Sequence, residues 1–318
     1  MNDQVASQSA GDAIEALSRA LERTGHLADP RVLTALHLAL ALGRPLLVEG
    51  PPGVGKTDIA KSAAAGLGRP LIRLQCYEGL DEARALYEWD YARQMLTTQL
   101  LRDAVTEQAR AQGAPPANAS VDRAFEVAVE SGARFFDRRF LLPRPLLAAL
   151  ESEEPVVLLI DEVDRSDPEF EAFLLELLSD MQVSIPELGT VVAKHTPLVV
   201  LTTNGTREMT DALRRRCLHA FVDFPPPERE IAILRRRVPG VDTELAARLV
   251  EFVGGLRRLD LRKAPSIGES IDWARSLLVL GKKHLDEELV RETLGVLLKH
   301  QDDRVEVEAR LAELVPKR

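Results

Sequence analysis

Lys56 and Thr57 close the stretch GPPGVGKT, and Asp161 and Glu162 stand side by side in VVLLIDEVD. The first stretch fits the spacing G-x-x-x-x-G-K-[ST] through Gly50, Gly55, Lys56 and Thr57. Glycine lets a backbone turn tightly and aim successive N–H groups at one anion. A helix that begins near Gly55 adds the positive end of its dipole. In such a loop the lysine meets the β- and γ-phosphates and the threonine hydroxyl holds Mg²⁺. The segment expected to contact a nucleotide is therefore Gly50, Pro51, Pro52, Gly53, Val54, Gly55, Lys56, Thr57 and Asp58. Asp161 can hold the same Mg²⁺, directly or through water, and Glu162 can polarise a water against the γ-phosphate. A metal carboxylate followed at once by a second carboxylate fits hydrolysis better than transfer to a small acceptor. Asn204, at the end of VVLTTN, is either the side chain that orients this water or a plain turn residue. The cofactors these residues imply are ATP and Mg²⁺.

Short strands must carry these groups. The runs PLLVE (45–49), PLIRL (70–74), PVVLLI (155–160) and PLVVLTT (197–203) are too short for helices and nearly uninterrupted. Each follows a proline, and together they read as buried strands of a parallel sheet. HAFVDF (219–224), before PPP, reads as a sheet-edge strand. Helical patterns such as DIAKSAAAGL and EFEAFLLELLSD alternate with them, so the chain up to residue 224 reads as an α/β domain. Parallel sheets bind ligands at the carboxyl ends of their strands, where Asp161 and Glu162 fall. About 80 residues separate the second and third strands, more than a crossover helix needs, and they contain the polar break AQGAPPANAS (111–120). QVSIPELGTVVAK (182–194) reads as a hairpin. Residues 1–12 are polar and read as a mobile tail, with the α/β domain over 13–224 and a small all-helical domain over 225–318.

The chain has 318 residues and a net charge of −9, a poor footprint for a protein that tracks along nucleic acid, so no nucleic-acid partner is expected. No apolar run reaches the roughly 20 residues of a membrane span. The amino terminus lacks the apolar core of a signal peptide, which favours a cytoplasmic protein. Cys76 and Cys217 match no metal spacing and read as free thiols.

Taken together, these motifs resemble the AAA+ ATPases, a branch of the P-loop NTPases. GPPGVGKT resembles their Walker A motif, VVLLIDEVD their Walker B motif and LVVLTTN their sensor 1, ending at Asn204. DALRRRC resembles the arginine-finger segment, with Arg216 at the matching position and Arg215 as second choice. The resemblance implies a five-stranded parallel sheet covered by helices, a helical lid, and a homo-oligomeric ring, usually a hexamer, with ATP at subunit boundaries. The extra residues before Walker B and the hairpin before sensor 1 are similar to the MoxR branch. LYEWDYARQML, RRFLLPRPLLAAL and SIPELGTV are similar to its CoxD-like subgroup. That subgroup implies a protein client, a molybdenum hydroxylase or carbon monoxide dehydrogenase, and a von Willebrand factor A domain partner. One departure stands out. The sensor 2 arginine of MoxR proteins would fall near Gly268 in KAPSIGESIDWA, with Arg262 and Lys263 the nearest substitutes.

The expected function is Mg-dependent ATP hydrolysis that drives chaperone-like remodelling, for example during cofactor insertion into a metalloenzyme. The competing readings are a nucleotide-controlled assembly module with little turnover and a nucleic-acid motor. Tyr77, Tyr87, Trp89 and Tyr91 form an unusual aromatic cluster. They either pack on the core or leave Tyr87 or Trp89 exposed to grip a client. On a helix, Tyr87 and Tyr91 would share a face and Trp89 would point away.

Overall fold

A computed structural model describes residues 2–97, 99–100, 137–186, 188–282 and 284–316, with side chains described from residue 11 onward. The polar break at 111–120 lies outside the described residues. Five strands form the main sheet: β1 (Leu46–Glu49), β2 (Leu71–Gln75), β5 (Val157–Asp161), β8 (Leu198–Thr203) and β9 (Leu218–Phe221). Their order is β2-β5-β8-β1-β9, and every pairing is parallel. The central strands β5 and β8 are buried at every position, as their unbroken apolar runs require. β9 lies at one edge, as its position before PPP implied. β2 takes the other edge, so its burial alternates and Leu71 and Arg73 reach solvent.

Helices cover both faces. α1 (Asn2–Arg23), α2 (Pro30–Leu42) and α3 (Lys56–Leu67) pack through Leu17, Leu21, Leu36, Ile59 and Ala63 against one side of the sheet. On the other side, α5 (Pro145–Glu151) and α6 (Pro168–Asp180) bury Leu146, Leu150, Phe170 and Leu174. The stretch expected as a tail is helical from Asn2 onward, as the start of α1. Polarity alone led to that expectation, and polarity does not separate a tail from a solvated helix; the stretch has no proline to stop one.

The hairpin read over 182–194 is present as β6 (Gln182–Ile185) and β7 (Gly189–Val192). A second small sheet was not foreseen. α4 (Glu82–Leu86) runs directly into β3 (Tyr87–Trp89), which pairs antiparallel with β4 (Leu141–Pro143). Tyr87 and Trp89 therefore stand two residues apart on one strand face, not on a helix, and their rings meet edge to face with centroids 5.8 Å apart. Trp89 is 9% exposed within the core under β2 and β5, and Tyr87 packs half-buried against the same cluster. The expectation of an exposed, client-gripping Trp89 is overturned: the strand turns it inward. Tyr77 and Tyr91 are the exposed members. Trp89→Ala is now expected to lower stability by about 3 kcal/mol, the usual scale for emptying a buried aromatic site. A denaturant midpoint equal to that of wild type would show that Trp89 adds nothing to the core.

From Pro227 onward the described residues form helices only. α8 (Pro227–Arg237), α9 (Thr243–Leu256), α10 (Ile267–Val279) and α11 (Glu287–Leu297) close around Leu234, Phe252, Trp273 and Leu294. The Trp273 indole N–H donates to Thr293 Oγ1 at 2.8 Å, which satisfies its one polar atom in the core. Glu230 is 2% exposed, and Arg257 meets it with two bonds of 2.7 and 2.9 Å. Removing either partner would leave an uncompensated buried charge. Arg257 also donates to the Pro265 carbonyl at 2.8 Å and lies 4.1 Å over the Phe224 ring. It thus fixes the turn that delivers α10 to the sheet domain.

Candidate nucleotide-binding site

The loop between β1 and α3 crosses the carboxyl end of the sheet and cannot be built without its glycines. A Cβ at Gly50 would lie 1.9 Å from the Val222 carbonyl oxygen. Gly53 has φ +79, and a Cβ there would lie 2.1 Å from Ser266 Cβ on the N-cap of α10. The Ile267 N–H donates to the Gly53 carbonyl at 3.2 Å, so the helical domain rests directly on the loop. Gly55, at φ +97, turns the chain into α3.

Lys56 is the first residue of α3 and is 6% exposed. Its ammonium donates to the Gly50 carbonyl at 2.7 Å, the Pro51 carbonyl at 2.8 Å and Asn204 Oδ1 at 2.8 Å. Burial pushes its pKa below the ordinary lysine value, while the charges of Asp164, Asp161 and Glu162 pull the other way. Thr57 Oγ1 donates to Asp161 Oδ1 at 3.0 Å, so α3 and β5 meet at these two side chains. Asp161 is 2% exposed and also accepts from Thr202 Oγ1 at 2.6 Å. Thr202 Oγ1 in turn accepts the Glu162 N–H at 2.9 Å. That bond holds Glu162 in a left-handed conformation, φ 56 and ψ 52, which is costly for a side-chain-bearing residue and typical of a working site. The Glu162 carboxylate accepts from Gln75 at 3.1 Å and from Arg165 at 3.2 Å.

Asn204 follows β8, beside β5, and its backbone is pinned by Asp164. Asp164 Oδ2 accepts from the Asn204 N–H at 3.3 Å, the Thr206 N–H at 3.0 Å and the Thr206 hydroxyl at 2.6 Å. Burial would raise the Asp164 pKa, but these hydrogen bonds outweigh it and hold the carboxyl below its usual range. Asp58 lies in the first turn of α3 and accepts from His26 at 2.8 Å and from Arg237 at 2.5 Å. Burial works to raise its pKa as well; the His26 bond and the charges of His26 and Arg237 bring it below the usual value.

The structure thus brings Lys56, Thr57, Asp58, Asp161, Glu162 and Asn204 to one cleft of about 860 Å³, whose lining includes the loop glycines Gly53 and Gly55. That volume suits a molecule the size of a nucleotide. Mg²⁺ also fits the donors: a hydroxyl and a buried carboxylate, both hard oxygen ligands, leave further positions for phosphate and water.

Arg215 and Arg216 are not in this cleft. They end α7 (Asp211–Arg216), both exposed, and neither makes an ion pair among the described residues. Arg214 instead reaches Glu49 at 3.5 Å. The Arg44 guanidinium donates to the Arg215 and Arg216 carbonyls at 2.9 and 3.0 Å and so anchors the helix end from which both side chains project.

The sequence did not reveal which cations the helical domain brings. Arg229, Arg237 and Arg275 line the cleft, as does Gly268 at the expected sensor 2 position. Arg262 and Lys263 do not, which corrects their suggested role. Asp303 holds both of their backbone N–H groups, and the Lys263 ammonium lies 3.2 Å from Glu269. Thr202, Gln75 and Asp164 were missed too. Their only signal was a polar residue at a strand end beside Asp161. Cys76 and Cys217 are buried; burial pushes both thiols up to about 12, helped at Cys76 by Asp161, so neither is a reactive thiolate.

Three similar proteins carry related sequences. Over 241 residues the chain is 27% identical to the gas vesicle ATPase GvpN of Haloferax mediterranei, spanning 73% of this chain and 62% of that protein. Over 226 residues it is 27% identical to the protein NorQ of Paracoccus denitrificans, spanning 70% and 67%. Over 302 residues it is 26% identical to the chaperone protein ClpB of Corynebacterium glutamicum, spanning 89% of this chain and 29% of that one. The chain thus covers about six-tenths of the length of the gas vesicle ATPases it matches. The family model of the AAA domain, dynein-related subfamily, matches residues 45–217, more than half of the chain, from the first strand through Cys217. With the β2-β5-β8-β1-β9 sheet and the loop geometry in place, the chain belongs to the AAA domain family, dynein-related subfamily.

Proposed function

We propose that this chain binds Mg-ATP in the cleft and hydrolyses it as a subunit of a hexameric AAA+ ring of the MoxR branch that remodels a protein client in the cytoplasm. One observation carries the reading: the Thr57 hydroxyl donates to Asp161 beside the buried Lys56 ammonium, inside a loop that tolerates no Cβ at Gly50 or Gly53. Bound Mg²⁺ would neutralise phosphate charge and fix the phosphates in line for attack. Lys56 holds the terminal phosphates, Glu162 takes a proton from the attacking water, and Asn204 orients that water. Arg216, with Arg215 as the second choice, reaches a neighbouring subunit's nucleotide and stabilises charge that develops on the γ-phosphate.

Remodelling is supported by similarity to a protein named as a chaperone. The CoxD-like motifs point to maturation of a molybdenum hydroxylase or carbon monoxide dehydrogenase as the task, with a von Willebrand factor A protein as partner. A second reading, nucleotide-controlled assembly with little turnover, is favoured by the engagement of Glu162 with Gln75 and Arg165, which competes with water for the base. Steady-state ATP turnover of the assembled protein separates the two.

The finger assignment makes its own prediction. Arg216→Ala and Lys56→Ala subunits should each be inactive alone, yet recover part of the turnover when mixed, because one keeps a nucleotide site and the other keeps a finger. Full turnover by Arg216→Ala alone would return the search to Arg215.

A further inference from the structure

Arg73 belongs to no motif that binds phosphate or activates water. It sits on the edge strand β2, two residues before its end, with a side chain 45% exposed. Its guanidinium nevertheless reaches across to Asp161, placing Nη2 2.6 Å from Oδ2 of a carboxylate that is 3% exposed. Register explains the reach: Gln75 is level with Asp161 on the neighbouring strand, and Arg73 is level with Leu159 on the same pairing. Gln75 Oε1 accepts from the same Nη2 at 2.5 Å, so the guanidinium is held from two sides.

Asp161 is saturated by protein donors in this arrangement. Oδ1 accepts from Thr202 and Thr57, and Oδ2 accepts from Arg73 and, at 3.2 Å, from Thr57. The two kinds of donor behave differently toward a metal. A hydroxyl can donate its proton to Asp161 and still present a lone pair to a cation. A guanidinium has no acceptor, carries a full positive charge and repels a divalent ion at this distance. Thr57 and Thr202 are compatible with Mg²⁺ at Asp161; Arg73 is not. Its exposure leaves the displaced guanidinium open to water, so its release needs no repacking of the core.

We propose that Arg73 is an intramolecular competitor for Mg²⁺ at Asp161, so that metal enters by displacing the guanidinium and Arg73 sets the Mg²⁺ concentration at which nucleotide is held tightly. The proposal rests on the reading of the cleft as a Mg-nucleotide site. Arginine suits the task because its long stem carries one terminal nitrogen, Nη2, to Asp161 and Gln75 together, a reach that the shorter lysine stem matches less well.

The test measures binding rather than turnover. A fluorescent ADP analogue is titrated onto wild type, Arg73→Met and Arg73→Lys at Mg²⁺ levels from chelator-treated to millimolar. In Arg73→Met the Mg²⁺ concentration that gives half of the affinity gain is expected to fall roughly ten-fold, a coupling of ordinary size between two ligands. Arg73→Lys keeps a cation on the strand and should shift the curve in the same direction by less, which covers the case in which the methionine variant folds poorly. Superimposed Mg²⁺ curves for wild type and both variants would overturn the proposal while leaving the nucleotide site intact. Failure of wild type to bind the analogue at any Mg²⁺ level would overturn the site reading and the proposal with it.

Discussion

Lys56→Ala should weaken ATP binding by roughly 100-fold or more, the scale set by losing one partner of a buried charged contact. The lysine is held in the loop by three acceptors, the Gly50 and Pro51 carbonyls and Asn204 Oδ1, which match the three protons of an ammonium. Burial works against its charge, and the carboxylates Asp164, Asp161 and Glu162 sustain it. A buried ammonium at the start of a helix, on a glycine-rich loop that lines the cleft, is arranged for a polyanion. Alanine removes that cation and leaves the acceptors facing one another across the cleft. The fold should survive, because Ile59, Ala60 and Ala63 bury α3 against the sheet independently of Lys56. A fluorescent-nucleotide titration with unchanged affinity, in a variant that melts like wild type, would remove Lys56 from the site.

Parts of this arrangement were legible in the sequence because they are local. GPPGVGKT needs only a strand before it and a helix after it, and both are signalled by neighbouring residues. The apolar runs ending at Asp161 and Thr203 announced the two central strands, since a strand buried on both faces has no polar alternation to blur its reading. YEW was harder. Three residues carry too little periodicity to separate strand from helix, and the partner strand at Leu141–Pro143 lies more than 50 residues away. Its pairing turns Trp89 inward and decides between the two readings that helical spacing had left open. The cleft arginines were hidden for a related reason. ILRRRV reads as about a turn and a half of an amphipathic helix, and nothing within it says that Arg237 will meet Asp58, 179 residues earlier in the chain. Such contacts arise only when the helical domain docks on the sheet.

That docking is built from specific contacts. Ser266 caps α10 with a reciprocal bond to Glu269 and, at the same point, packs on Gly53. Arg237 on α8 joins Asp58 in the first turn of α3, and Arg229 on the same helix pairs with Asp29 at the N-cap of α2 at 2.9 Å. The phosphate loop therefore has the helical domain as one wall. A ligand that moves the Gly53 backbone acts directly on the cap of α10, which gives nucleotide chemistry a short mechanical route into the helical domain.

Glu162→Gln should lower ATP turnover by about 10²- to 10⁴-fold, the usual contribution of a positioned general base, while leaving nucleotide affinity close to that of wild type. The substitution keeps the size of the side chain and an oxygen that can accept from Gln75 and Arg165, so the network seen around Glu162 persists. The left-handed backbone at this position, held by Thr202, makes the same demand on glutamine as on glutamate. What disappears is the basic carboxylate to which the proposed mechanism gives the proton of the attacking water. Asp161 remains to hold Mg²⁺ and Lys56 remains to hold phosphate, so the variant should bind ATP and keep it. If nucleotide drives ring assembly, Glu162→Gln should also remain assembled in ATP after wild type has turned over and dispersed, which light scattering reads directly. Wild-type turnover in a variant that folds normally would move the base to another residue, and loss of ATP binding would show that Glu162 serves the ground state rather than the chemical step.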